Sequence, residues 1–106
     1  MRPDLLKALG DSTRLAIFER LCTREHTVTE LKSYFDVSQP AISQHLGILK
    51  HCDLVRERRS GRFAHYRARP EGLRPLATWL CHYQQFWPEK LSALSTVLKE
   101  IHDESR

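Results

Sequence analysis

Gln39, Ser43 and Gln44 sit at helical spacing within Ser38-Gln39-Pro40-Ala41-Ile42-Ser43-Gln44-His45-Leu46-Gly47-Ile48-Leu49-Lys50. They carry the side chains best suited to reading a base edge: an amide that donates and accepts at once, and a hydroxyl that does either. At about 100° per residue, Ile42, Leu46 and Leu49 form one apolar stripe, and Pro40, Ser43, Gln44, Gly47 and His51 lie opposite. A merely solvated helix would carry long charged side chains on that face. Small and amide-bearing residues point instead to a face that closes on another surface. Gly47 fits, since a mid-helix glycine costs about 1 kcal/mol relative to alanine and allows close approach. Ser38 marks the start as an N-cap, with Pro40 tolerated in the first turn. An ordinary half-buried helix shares this pattern, so the flanking elements decide.

Upstream, Thr27-Val28-Thr29-Glu30 matches a capping box. It predicts a short helix with Val28, Leu31 and Phe35 on one face, ending at Asp36-Val37. Two helices across a tight turn make a helix-turn-helix, in which the first helix braces the second against a duplex. Downstream, Leu54 to Arg59 and Arg62 to Arg67 flank Ser60-Gly61, predicting a two-stranded hairpin with apolar contact from Val55, Phe63 and Tyr66. Arg58, Arg59 and Arg62 crowd its tip and would repel one another without an anionic partner. Residues 50–69 hold seven Lys/Arg against two Asp/Glu, a local net of +5, whereas the whole 106-residue chain is +4. The basic character is thus concentrated in one hairpin, as a phosphate-binding wing requires.

The length predicts one domain, 1–106, with the helix-turn-helix at about 28–50 and the wing at about 54–67. The fold class expected is mainly α with a small β-hairpin. No apolar run is long enough for a membrane span, Met1-Arg2-Pro3-Asp4 does not open a secretory signal, and three cysteines without close pairing fit a reducing compartment. A cytoplasmic protein without membrane attachment is expected. Leu5, Leu6 and Leu9 predict a short first helix. Asp11 or Ser12 caps a second, whose Leu15, Ile17, Phe18 and Leu21 build core. From Leu73 the repeat Leu76, Leu80, Tyr83, Trp87, then Leu91, Leu94, Leu98 and Ile101, predicts one long amphipathic helix over about 73–102, bent or broken at Pro88. Its stripe is longer than a core of this size covers, so the expectation is a homodimer through the N- and C-terminal helices, using Leu5, Leu6, Leu80, Tyr83, Trp87, Leu91, Leu94 and Leu98.

Leu6-Lys7-Ala8-Leu9-Gly10-Asp11-Ser12-Thr13-Arg14-Leu15-Ala16-Ile17, Val28-Thr29-Glu30-Leu31, Ser38 to Leu46, Gly61-Arg62 and His65-Tyr66-Arg67 follow in an order that resembles the ArsR/SmtB family of bacterial winged-helix repressors. The resemblance implies a homodimeric repressor on a near-palindromic double-stranded operator in or near its own promoter, released by an inducer. In that pattern Gln39, Pro40, Ser43 and Gln44 match residues facing bases, and the arginine-rich turn matches the wing. The full DNA-facing set is taken as Ser38, Gln39, Pro40, Ser43, Gln44, His45, Arg58, Arg59 and Arg62. Tyr83-Gln84-Gln85-Phe86-Trp87 with Leu91 and Leu94 is similar to a subset generally lacking known metal ligands.

The ligand sets of metal-sensing members are not matched. Thr27, Val28 and Thr29 stand where one set has Cys-Val-Cys, and hydroxyls do not replace thiolates for soft metals. His82 and His102 lack ligands at helical spacing, and Glu19 and Trp87 occupy the positions of a thiol-sensing pair. His51-Cys52 and Cys81-His82 diverge by about 100° if helical. No metal, cofactor or catalytic residue is expected, and the inducer is not specified. A composite Cys/His site across a dimer and a protein-binding wing stay open as alternatives. An enzyme finds no phosphate loop and no nucleophile with a base.

Overall fold

The structure is a computed structural model that describes residues 2–86. Residues 2–73 form one compact unit, and Arg74 opens a second. The first unit runs α1 (Pro3–Gly10), α2 (Ser12–Thr23), β1 (His26–Thr27), α3 (Val28–Lys32), α4 (Gln39–His51), β2 (Val55–Ser60) and β3 (Phe63–Ala68), closed by a 3-10 turn at Pro70–Leu73.

The starts of α2, α3 and α4 are each set by a side-chain hydrogen bond at the cap. Asp11, rather than Ser12, caps α2, its Oδ1 accepting from the Arg14 amide at 2.9 Å. At α3 the capping box is complete: the Glu30 amide donates to Thr27 Oγ1 at 3.2 Å, and the Thr27 amide to Glu30 Oε1 at 3.0 Å. At α4 the Ser38 hydroxyl accepts from the Ala41 amide at 3.2 Å. Ile42, Leu46 and Leu49 of α4 meet Leu5, Ile17, Leu21, Leu31 and Leu54 in a fully buried core. His26 is the buried polar residue among those described, satisfied by donating from Nδ1 to the Arg24 carbonyl at 2.9 Å.

The end of α4 fixes where the wing begins. Asp53 takes a left-handed φ of 63° just past the helix. Its amide donates to the Lys50 carbonyl at 3.1 Å, and the Leu54 amide reaches back to the Leu49 carbonyl at 2.9 Å. This is the Schellman pattern, with Leu54 packing beside Leu49 in the core and Asp in the position glycine usually holds. Gly72 then lies so close to the Asp53 carbonyl that a Cβ there would collide with backbone. Gly72→Ala is expected to lower stability by about 1–3 kcal/mol, seen as an earlier urea midpoint at unchanged slope.

Several sequence expectations need correction. The sheet has three strands, not two, in the order β1-β3-β2, because His26 and Thr27 pair antiparallel with Tyr66 and His65. Leu15 is 38% exposed, so it does not join Ile17, Phe18 and Leu21 in the core. Leu5 is wholly buried within the chain and has no exposed area to give a dimer, whereas Leu6 is 42% exposed. The C-terminal helix is short where it is described: α5 spans Arg74–Cys81, after which His82 and Tyr83 bond three residues back to Trp79 and Leu80, and a 3-10 turn occupies Gln84–Phe86. Tightening to i→i+3 ends the α-helix and brings Tyr83 into ring contact with both Trp79, edge-on at 5.4 Å, and Phe86. Trp87, Pro88, Leu91, Leu94 and Leu98 lie outside the described residues.

Candidate nucleic-acid interface

The outer face of α4 is open. Gln39, Pro40, Ser43, Gln44 and Gly47 are exposed, and the side chains of Gln39, Ser43 and Gln44 make no hydrogen bond to any described residue. Ser38 is exposed too, and its oxygen already accepts the capping bond while its O–H is left to donate. His45 sits at the flank of the face, half-buried, with Nδ1 3.2 Å from Arg14 Nη1. Asp11 lies near both groups. Its carboxyl is held below the usual range chiefly by the Arg14 amide, with the Arg14 charge adding to this.

The wing pairs Val55 with Ala68 through to Ser60 with Phe63, leaving Gly61-Arg62 as a two-residue loop. Gly61 has a φ of 62°, and Arg62 has no positive φ. A positive angle at the first loop position alone matches a II′ turn, which suits the strand twist and favours glycine there.

Strand alternation separates the wing cations. Val55, Glu57 and Arg59 share one face, and Lys50 of α4 reaches it, donating from Nζ to Glu57 Oε1 at 3.0 Å. Arg59 therefore projects on the side of α4. Arg58 points to the other face, where both carboxylate oxygens of Glu25 hold it, at 2.6 and 3.2 Å. That fork is the main reason the Glu25 carboxyl lies below its ordinary range, and His65 Nδ1 stands 3.6 Å from the same carboxylate. Of the three arginines expected to crowd the tip, Arg58 thus already has an anionic partner within the chain. Among the described residues Arg59 and Arg62 have no acidic partner, whereas Arg58 has one.

Glu57 also accepts from the Tyr66 hydroxyl at 2.8 Å, linking β3 to α4 through one carboxylate. Burial first, then this bond, pushes the Tyr66 phenol up to about 12. Because the folded value lies above the unfolded one, the associated stability is complete below about pH 10 and fades as pH climbs towards 12. In an ultraviolet titration one of the three tyrosines should ionise late, and Glu57→Gln should bring that step back towards 10.

Glu25, Glu57 and Arg14 escaped the sequence reading. Each meets its wing or α4 partner only after folding, and the Arg14 to His45 contact spans 31 positions. Cys52 is buried, its thiol donating weakly to the Asp4 carbonyl at 3.7 Å. Burial, with Asp4 adding to it, pushes this thiol up and away from a thiolate. Among the described residues no three His, Cys, Asp or Glu side chains are grouped to hold a metal ion, and no helix is long and apolar enough to cross a membrane.

Residues 11–57, from the cap of α2 into the wing, match the family described as bacterial regulatory protein, arsR family. The HTH-type transcriptional regulator Rv2034 of Mycobacterium tuberculosis is 38% identical over 99 residues, covering 93% of this chain and 90% of its own. The chain belongs to the ArsR family. It is a DNA-binding transcriptional regulator of winged-helix form. The transcriptional repressor SdpR of Bacillus subtilis is 30% identical over 80 residues, covering 76% of this chain and 89% of its own. An ArsR-like transcriptional regulator from Rhodococcus superposes with a TM-score of 0.70 at 30% identity, over 90% of each chain. Family membership accounts for the order of the elements, and the cap, stripe and hairpin account physically for each one.

Proposed function

We propose that this ArsR-family protein is a homodimeric repressor that lays α4 in the major groove of a double-stranded operator and sets its wing on the flanking phosphates. The observation carrying this is that unpaired Gln39, Ser43 and Gln44 share a side of the unit with Arg59, which forms no ion pair with an acid among the described residues. Gln39, Ser43 and Gln44 read base edges. Pro40 packs against them, and Ser38 and His45 donate at the margin of the groove. Arg59 and Arg62 neutralise phosphates. Arg58 joins them only by exchanging Glu25 for phosphate.

Repression is supported by the names of relatives such as SdpR and the arsenical resistance operon repressor of Escherichia coli. The regulator works in the cytoplasm without catalysing a reaction, and leaves DNA when a signal arrives. Dimerisation engages Leu6, Leu80 and Tyr83, which have area to bury, together with Trp87, Leu91, Leu94 and Leu98. Two-fold symmetry then calls for an inverted repeat with half-site centres about 10 base pairs apart, or a multiple.

Two measurements test this. Light scattering without DNA should give about 25 kDa, twice the 12.4 kDa chain, and a stable 12.4 kDa species at micromolar concentration would remove the basis for paired half-sites. A gel shift with the gene's own upstream region should show retardation that survives excess competitor DNA. A wing used for protein binding predicts none.

A further inference from the structure

Arg14 engages three neighbours, one through each nitrogen of its guanidinium. Nε donates to the Ala8 carbonyl at 2.7 Å and Nη2 to the Lys7 carbonyl at 3.1 Å, taking up carbonyls near the end of α1. Nη1 crosses to α4 and meets His45 Nδ1 at 3.2 Å. A guanidinium has only donors, so Nδ1 must be the acceptor, and the neutral ring then carries its proton on Nε2. Among the described residues no side-chain nitrogen or oxygen is buried without a partner. Nε2 makes no bond to any described residue, so this N–H opens to solvent.

We propose that Arg14 is a positioning residue for DNA recognition: through Nδ1 it holds His45 as the Nε2–H tautomer, a neutral donor for a phosphate oxygen at the margin of the groove that α4 enters. The inference rests on the DNA-reading role proposed above. His45 lies about 100° around the helix from Gln44, at the flank of the reading face, where backbone contacts fall. A neutral donor releases no counterion. Its loss should therefore lower affinity without altering salt dependence, unlike the loss of an arginine.

The test is a set of binding titrations over a range of salt, using a duplex of the gene's own upstream region. His45→Ala and the charge-preserving Arg14→Lys should each weaken binding about tenfold with the slope of log K against log salt unchanged. The double variant should be no weaker than either single one, since both remove the same contact. Nitrogen-15 shifts of the His45 ring in the unmodified protein should report Nε2–H, and Arg14→Lys should give a tautomer mixture. A native Nδ1–H tautomer, a reduced slope for His45→Ala, or losses that multiply in the double variant would each overturn the proposal. Should Arg14→Lys fail to fold, the native tautomer and the His45→Ala slope still decide. Gln44→Ala separates the levels. If Gln44→Ala weakens binding and His45→Ala does not, Arg14 has no such role; if neither does, the DNA-reading role of α4 itself falls.

Discussion

Gln44→Ala will weaken binding to the specific duplex by about 1–3 kcal/mol, roughly fivefold to more than a hundredfold, and will relax preference at one or two base pairs. Gln44 is exposed and its side chain bonds to no described residue, so its amide has no structural duty to lose. The Ile42, Leu46 and Leu49 side chains that anchor α4 face the other way and are fully buried, so the thermal midpoint should hold. The magnitude is that of an amide which, in the proposed complex, would form two hydrogen bonds to one base and leave base atoms unpaired when truncated. Ser43→Ala should show the same pattern at smaller size. Unchanged sequence preference in both variants would remove α4 as the reader.

Removing Arg59 and Arg62 together will weaken specific and non-specific duplexes alike. The slope of log K against log salt should shrink by about 0.9 for every phosphate that an arginine no longer neutralises, so the double variant should show a slope smaller by about 1.8. Both side chains are exposed and have no acidic partner among the described residues, so binding phosphate breaks no ion pair within the protein and the released counterions set the slope. Arg58→Ala supplies the internal comparison. Its guanidinium is already held by Glu25 on the opposite face of the sheet, and its removal should disturb the slope least. Equal slope changes for all three arginines would show that the Glu25 pair is exchanged for phosphate on binding.

The elements that follow short-range rules were legible in the sequence. Ser38, Thr27 and Glu30 cap as their types and spacing require, and the Ile42, Leu46, Leu49 stripe is buried as its period demands. The hairpin was legible as well, although the loop is Gly61-Arg62 and not Ser60-Gly61. What was hidden depends on contacts between distant residues. A two-residue strand such as His26-Thr27 has no periodicity to detect, and only Tyr66 and His65 alongside make it a strand. The alternation of β2 sends Arg58 and Arg59 to opposite faces, a separation that the period of two carries in the sequence, whereas the Glu25 partner of Arg58 lies 33 positions away. The leucine repeat beyond Leu73 signals an apolar face but not helix continuity, and the i→i+3 bonds after Cys81 interrupt the helix without a proline or glycine to announce it. Leu5 illustrates the limit of composition: burial within the chain and burial against a partner leave the same mark on a sequence.

The strand pairing of β1 with β3 has a mechanical consequence. β1 leads directly into α3, so the sheet clamps the wing to the entrance of the helix-turn-helix, while Glu57 joins its other side to the end of α4. A wing fastened at both edges does not flap independently of the helix it flanks. Reader and wing therefore travel as one tool head, and bending one away from the other would break both attachments. In the homodimer proposed above, a releasing signal would have a simpler route: to shift or tilt two such heads relative to each other until their pitch no longer matches one turn of the duplex. Repression would then be controlled by a length, with each head unchanged whether or not it is seated.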